Sequence, residues 1–103
     1  MEKNCLELSG RVVKIEALRF SPAGIPHQRF ILEHRSKQLE ADLAREARCQ
    51  IQVQASGEAL QQSVKNLEEG EYLVVTGFIG RTSFQDESYR ILLHAQKIDR
   101  GAP

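Results

Sequence analysis

From Ala47 to Ala55 the chain alternates without a break: Ala47, Cys49, Ile51, Val53 and Ala55 on one parity, Arg48, Gln50, Gln52 and Gln54 on the other. A period of two puts the two sets on opposite faces of an extended strand. One face demands a core and the other does not, which predicts a half-buried antiparallel strand. The polar row, one arginine and three glutamines, is rich in hydrogen-bonding groups. It reads either as a solvated face or as a ligand surface, and the strand alone does not decide between them.

A second constraint lies upstream, from Arg19 to Ser36. Pro22 fixes its own φ, Gly24 can take a positive φ, and Pro26 biases Ile25 towards an extended conformation, so Ser21 to Pro26 is predicted to be a tight hairpin turn. Beyond it Phe30, Leu32 and His34 share one face of a strand running to about Ser36, and Arg29, Ile31, Glu33 and Arg35 share the other. Before the turn, Leu6 and Leu8 have one parity and Val13 and Ile15 the other, with Gly10 and Val12 between. A phase change at a glycine predicts a bulged first strand from about Cys5 to Leu18, curved as closure into a small barrel requires.

The remaining segments are read in the same way. Residues 37–45 are polar and too short to hold a helix alone, so a long loop is expected there. Ser56-Gly57-Glu58 opens a short helix with Ser56 as its cap and with Leu60, Val64 and Leu67 on one face. A strand follows from Tyr72 to Ile79, then a polar loop from Arg81 to Ser88. The last strand runs from Tyr89 to Ile98, with Ile91, Leu93 and Ala95 set against Arg90, Leu92, His94 and Gln96, and residues 100–103 form a frayed tail. Phe30, Tyr72, Phe78 and Tyr89 are expected in the core or in a dimer contact.

At 103 residues, with 41% apolar and 27% charged side chains, the chain is expected to be one domain, residues 1–103, able to bury its own core. Fourteen basic residues balance fourteen acidic ones, which excludes a polyanion binder acting through a large overall positive field. Any nucleic-acid site must be local. Cys5 and Cys49 match no metal-ligand spacing and read as reduced, packed thiols. No signal peptide or membrane-length apolar run is visible, so a soluble cytoplasmic protein is expected. His27, His34 and His94 lie on separate segments without metal or triad spacing, and no nucleophile elbow or phosphate-binding loop is present. No enzymatic activity, metal or cofactor is expected.

Three strands, a helix and two strands is the order of an all-β, five-stranded Greek-key OB-fold barrel with one short helix between its third and fourth strands. That fold binds oligonucleotides or oligosaccharides on its strand 2–3 face and through its 1–2 and 4–5 loops. Here those surfaces are Arg29 to Arg35, Arg48 to Gln54, Phe20 to His27 and Arg81 to Ser88. Phe20 and Phe84 lie in polar loops, where a ring either stacks on a base or packs beneath the loop.

Several runs also carry a family resemblance: Leu8-Ser9-Gly10-Arg11-Val12, Ser21-Pro22-Ala23-Gly24-Ile25-Pro26-His27, Phe30 to Ser36, Cys49-Gln50, Ser56-Gly57, Val75 to Ile79 and Leu93-His94-Ala95. Over nearly its whole length the chain resembles the primosomal replication protein N (PriB) family. The resemblance implies a homodimeric OB-fold that binds single-stranded DNA and bridges the restart helicase PriA to DnaT and other primosome components, with single-stranded DNA-binding protein as a further partner. It places DNA contacts at Arg19, Arg35, Arg48 and Arg90. The charge and fold readings add Phe20, Arg29, Arg81 and Phe84. Arg48 stands where the family pattern has a base-stacking tryptophan, and the 4–5 loop, basic in that pattern, carries Asp86 and Glu87. Each phosphate neutralised adds ~0.7 to the single-strand salt slope and each stacked base ~1–3 kcal/mol. The expected binding is therefore modest, salt-sensitive and sequence-independent. Two other readings remain open: a protein-interaction adaptor with incidental DNA binding, and a general oligonucleotide-binding module.

Overall fold

The computed structural model describes residues 1–82 and 90–101. Its strands are β1 (Leu6–Ile15), β2 (Arg19–Phe20), β3 (Pro26–Glu40), β4 (Leu43–Ser56), β5 (Tyr72–Arg81) and β6 (Ile91–Arg100), with one helix, α1 (Glu58–Ser63), between β4 and β5. β1 pairs antiparallel with β5 from Leu6 to Arg11 and with β3 from Arg11 to Ile15. β5 pairs with β6, β6 runs parallel to β4 where Gln52, Val53 and Gln54 meet Leu92, Leu93 and His94, and β4 pairs with β3. The circuit closes. The result is a barrel of five long strands, as expected, with β2 added at the start of β3.

Alternation fills the interior. Val12, Phe30, Leu32, Val53, Leu73, Val75 and Leu93 are wholly or almost wholly buried, each contributing roughly 1.5–3 kcal/mol. Val64, Leu60 and Leu67 pack against this core, as their shared helical face predicts. Two glycines sit where strands approach too closely for a side chain: a Cβ at Gly10 would lie 2.2 Å from the Glu33 carbonyl oxygen, and one at Gly77 would lie 1.9 Å from that of His94. The β1 phase change falls at Val13, skipped between Val12 and Lys14 in the register with β3. Gly10 permits contact and Val13 forms the bulge.

Several boundaries differ from expectation. The first strand ends at Ile15 rather than Leu18, and β6 begins at Ile91. Residues 37–45 are not a loop: β3 and β4 stay paired out to Glu40–Leu43, turned by Ala41 and Asp42 at φ 53° and 62°. Two positive-φ central residues match the twist of a hairpin. The ladder then satisfies the backbone of a segment that has no core to face. Cys49 lies on this arm, and both it and Cys5 are exposed rather than packed.

Ser56 does not cap α1. Gly57 occupies the cap position without a side-chain bond, while the Ser56 hydroxyl accepts from Gln54 Nε2 at 3.1 Å and lies 2.7 Å from His27 Nδ1. Nor does fraying start at Arg100. That residue ends β6, its guanidinium clamped on the Glu71 carboxylate at 2.6–2.9 Å and donating to the Lys65 carbonyl at 2.7 Å. In β6 Leu93 and Ala95 face the core, but Ile91 is exposed and Leu92 buried, the reverse of the expected alternation at that end.

Candidate nucleic-acid interface

The outward face of the β3–β4 hairpin follows from its register. Arg29 faces Gln54, Ile31 faces Gln52, Glu33 faces Gln50 and Arg35 faces Arg48. Further out, Lys37 faces Glu46. Opposed guanidinium groups repel, and among the described residues an exposed 3.5 Å ion pair from Arg35 to Glu46 relieves them. Like charges set directly opposite one another run against local preference, a conflict that folded proteins keep mainly at functional or strained sites. Glu33 is engaged by Gln50 Nε2 at 3.0 Å. Arg29, Arg35, Lys37 and Arg48 outnumber Glu33 and Glu46 on this face, so its field is positive although the chain is neutral.

Arg90 is exposed and lies two residues before Leu92, whose partner is Gln52, so it approaches the level of Gln50 and the Arg35–Arg48 pair. Arg81 ends β5 opposite Ile91, at the same end of the barrel. Arg19 lies elsewhere. It pairs with His27, eight residues along β3 from Arg35, or up to about 27 Å on an extended strand. Its turn is held by Ser21, whose backbone N–H donates to the Ile25 carbonyl at 2.9 Å, while Gly24 donates to the Ser21 carbonyl at 2.8 Å and Ile25 to the Ser21 hydroxyl at 3.1 Å. Phe20 is 63% exposed but has the opposite parity from Arg19, opposite Pro26. Phe84 and Tyr89 lie outside the described residues. The structure thus brings Arg35, Arg48 and Arg90 towards one another and leaves Arg19 at the far end.

Arg29 belongs to a different group. Its Nε donates to Gln54 Oε1 at 2.8 Å, and Gln54 passes the chain on to Ser56 and His27. Gln54 pairs with His94, and His94 with Phe78, so one outward row crosses four strands. The Phe78 and His94 rings stack with centroids 4.8 Å apart and planes 12° apart. Burial, then the neighbouring Arg29 charge, lowers the His94 pKa and keeps the imidazole neutral. Phe78, expected in the core or a dimer contact, lies outside the core and is 39% exposed on this surface. His94 and Phe78 were not among the candidates, and Gln54 entered only as the end of the Arg48 to Gln54 surface. The outward Gln row was the one signal for Gln54, whereas the stack depends on a β5–β6 register that skips Gln96.

Among the described residues no group of three or more His, Cys, Asp or Glu could hold a metal, and no helix is long and apolar enough to cross a membrane. A family model described as another single-strand binding protein family matches residues 4–97. Replication restart protein PriB of Photorhabdus laumondii is 44% identical over 99 residues, covering 96% of this chain and 94% of that protein. The namesake protein of Photobacterium profundum is 44% identical over 96 residues, covering 93% and 92%. The solved PriB of Ralstonia solanacearum superposes with a TM-score of 0.83 at 23% identity, covering 98% of this chain and all of that one, which concerns the fold alone.

Proposed function

Because the chain belongs to the replication restart protein PriB family, within a single-strand binding protein family, we propose that it binds single-stranded DNA on the outward face of β3 and β4. It acts by binding rather than catalysis, in the cytoplasm, as an accessory of replication restart. The observation that carries this reading is the Arg35–Arg48 pair, two guanidinium groups held side by side on a rigid ladder in a chain with no net charge. Phosphates between them replace repulsion with charge-assisted hydrogen bonds. Arg29 and Arg90 extend the track, and Glu33 and Glu46 keep its affinity modest.

The test is fluorescence anisotropy of a labelled oligodeoxynucleotide at two salt concentrations. Arg35→Ala/Arg48→Ala weakens binding at least tenfold and lowers the salt slope by about 1.4, two phosphate contacts at ~0.7 each. Equal affinity in wild type and double variant removes DNA from this face.

The same reading assigns PriA and DnaT as protein partners, single-stranded DNA-binding protein as a further one, and a homodimer as the assembly. In favour of the dimer, β1 from Leu6 to Gly10 pairs on one side with β5 but not on the other with β3, and β3 beyond Glu33 lacks a β1 partner in turn. Unpaired edges of this kind are templates for a second copy. Light scattering on a size-exclusion column reads the mass directly. An adaptor role draws support from the arm, whose Leu39 and Leu43 are 79% and 68% exposed on opposite faces of its tip. Binding of PriA without DNA, lost in Leu39→Ser/Leu43→Ser, distinguishes it.

A further inference from the structure

We propose that the row Arg29–Gln54–His94–Phe78 is a second, base-reading subsite, in which a nucleobase stacks on the free face of Phe78 while the strand's backbone crosses to the Arg29 guanidinium. The proposal rests on the single-strand-binding reading and deepens it. The two ends of this row match the two parts of a nucleotide.

At the β5 end, Phe78 gives one face to His94 while the residue as a whole stays 39% exposed. An exposed ring held upright by a stacked neighbour is a platform that needs no reorganisation to accept a base. His94 is neutral and accepts or donates at its ring nitrogens, neither of which has a hydrogen bond among the described residues. A Cβ at Gly80 would reach only the His94 Nε2 edge at 3.5 Å, so nothing larger crowds the ring there.

At the β3 end, Arg29 is fixed through Nε by Gln54, which is itself bonded to Ser56. Anchoring Nε pre-orients the guanidinium and leaves the terminal Nη pair for a phosphate. Three strand spacings separate the ends, roughly 14 Å along the barrel surface, so a short single-stranded segment spans them. The subsite is distinct from the Arg35–Arg48 pair, which lies six residues further along β3. Arg35–Arg48 supplies phosphate contacts, and Phe78 supplies a stacking surface.

Heteronuclear NMR on the isotope-labelled full chain tests this with two probes, a thymidine pentanucleotide and the matching abasic pentamer. The thymidine oligomer is expected to shift the His94 ring and Gly80 amide signals, and the abasic one is not. Phe78→Leu is expected to weaken the thymidine oligomer about 5- to 150-fold, the range for losing one stacked base, with abasic binding unchanged. The wild-type shifts carry the test even if the variant folds poorly. Thymidine binding whose shifts stay at Arg35 and Arg48, with no base dependence, overturns the subsite and leaves the DNA reading standing. Failure of both oligomers to bind at low salt overturns both.

Discussion

The inner and outer parts of the β3–β4 hairpin share one hydrogen-bond ladder and one alternation, yet their environments differ completely. Between Phe30 and Leu32 on β3 and Ile51 and Ala55 on β4, the inward residues are buried. Seven residues out from Leu32 and eight out from Ile51, the same ladder carries Leu39 and Leu43 into solvent. Backbone pairing therefore holds the arm, while side-chain burial holds the barrel. The positive face straddles the junction, with Arg29 over the core and Arg35 and Arg48 where the arm leaves it.

The largest test of this contrast is a pair of truncations read by urea unfolding. Phe30→Ala is expected to cost about 3–5 kcal/mol, whereas Leu39→Ala stays within about 0.5 kcal/mol. Similar losses would mean that the arm tip is buried, as in a tight dimer. A smaller effect concerns the turn. Asp42→Gly removes a positive-φ penalty of about 1 kcal/mol and should raise hydrogen-exchange protection of arm amides more than that of Val53 or Leu93. Equal protection throughout would tie arm and barrel into one cooperative unit.

The smallest effect sharpens the comparison through two ion pairs of equal length. Arg100–Glu71 in the barrel and Arg45–Glu40 on the arm both measure 2.6 Å, but their side chains are about a third exposed in the first and two thirds in the second. Glu71→Gln is expected to cost about 0.5–1 kcal/mol and Glu40→Gln about 0–0.5 kcal/mol. The Arg100 hydrogen bonds lower the Glu71 pKa below 4.5. Its stabilising contribution is therefore present above that pH and is lost as the pH falls through the folded-state value. Unfolding midpoints at pH 7 and pH 3 should converge for wild type and Glu71→Gln, and a gap that persists at pH 3 would rule out the carboxylate charge as the cause.

Much of this molecule was legible in its residues. The strand order, the inward Phe30, Leu32 and Val53, the outward Arg29, Arg35 and Arg48, and the Ser21–Pro26 turn all follow from periods and turn chemistry within a few positions of each residue. The arm did not, because polar residues on both parities look the same in a loop and in a two-stranded ladder that faces only water. Ala41-Asp42 also lacks the glycine or asparagine that announces its turn type. Cys49 continues an apolar alternation past the point where the core ends, so its exposure depends on where the barrel stops.

The candidate site divides along the same line. Arg35 and Arg48 could be placed on one face by parity alone, but not opposite one another. That required the Ala41–Asp42 turn to set the register. The Arg29–Gln54–His94–Phe78 row also needed the parallel β4–β6 closure and the skipped Gln96. The sequence by itself determined which residues face inward, because alternation and turn preference act over a few bonds. Only the tertiary structure decided which outward residues are neighbours, because register and closure join segments far apart in the chain, where a one-residue slip reverses every face.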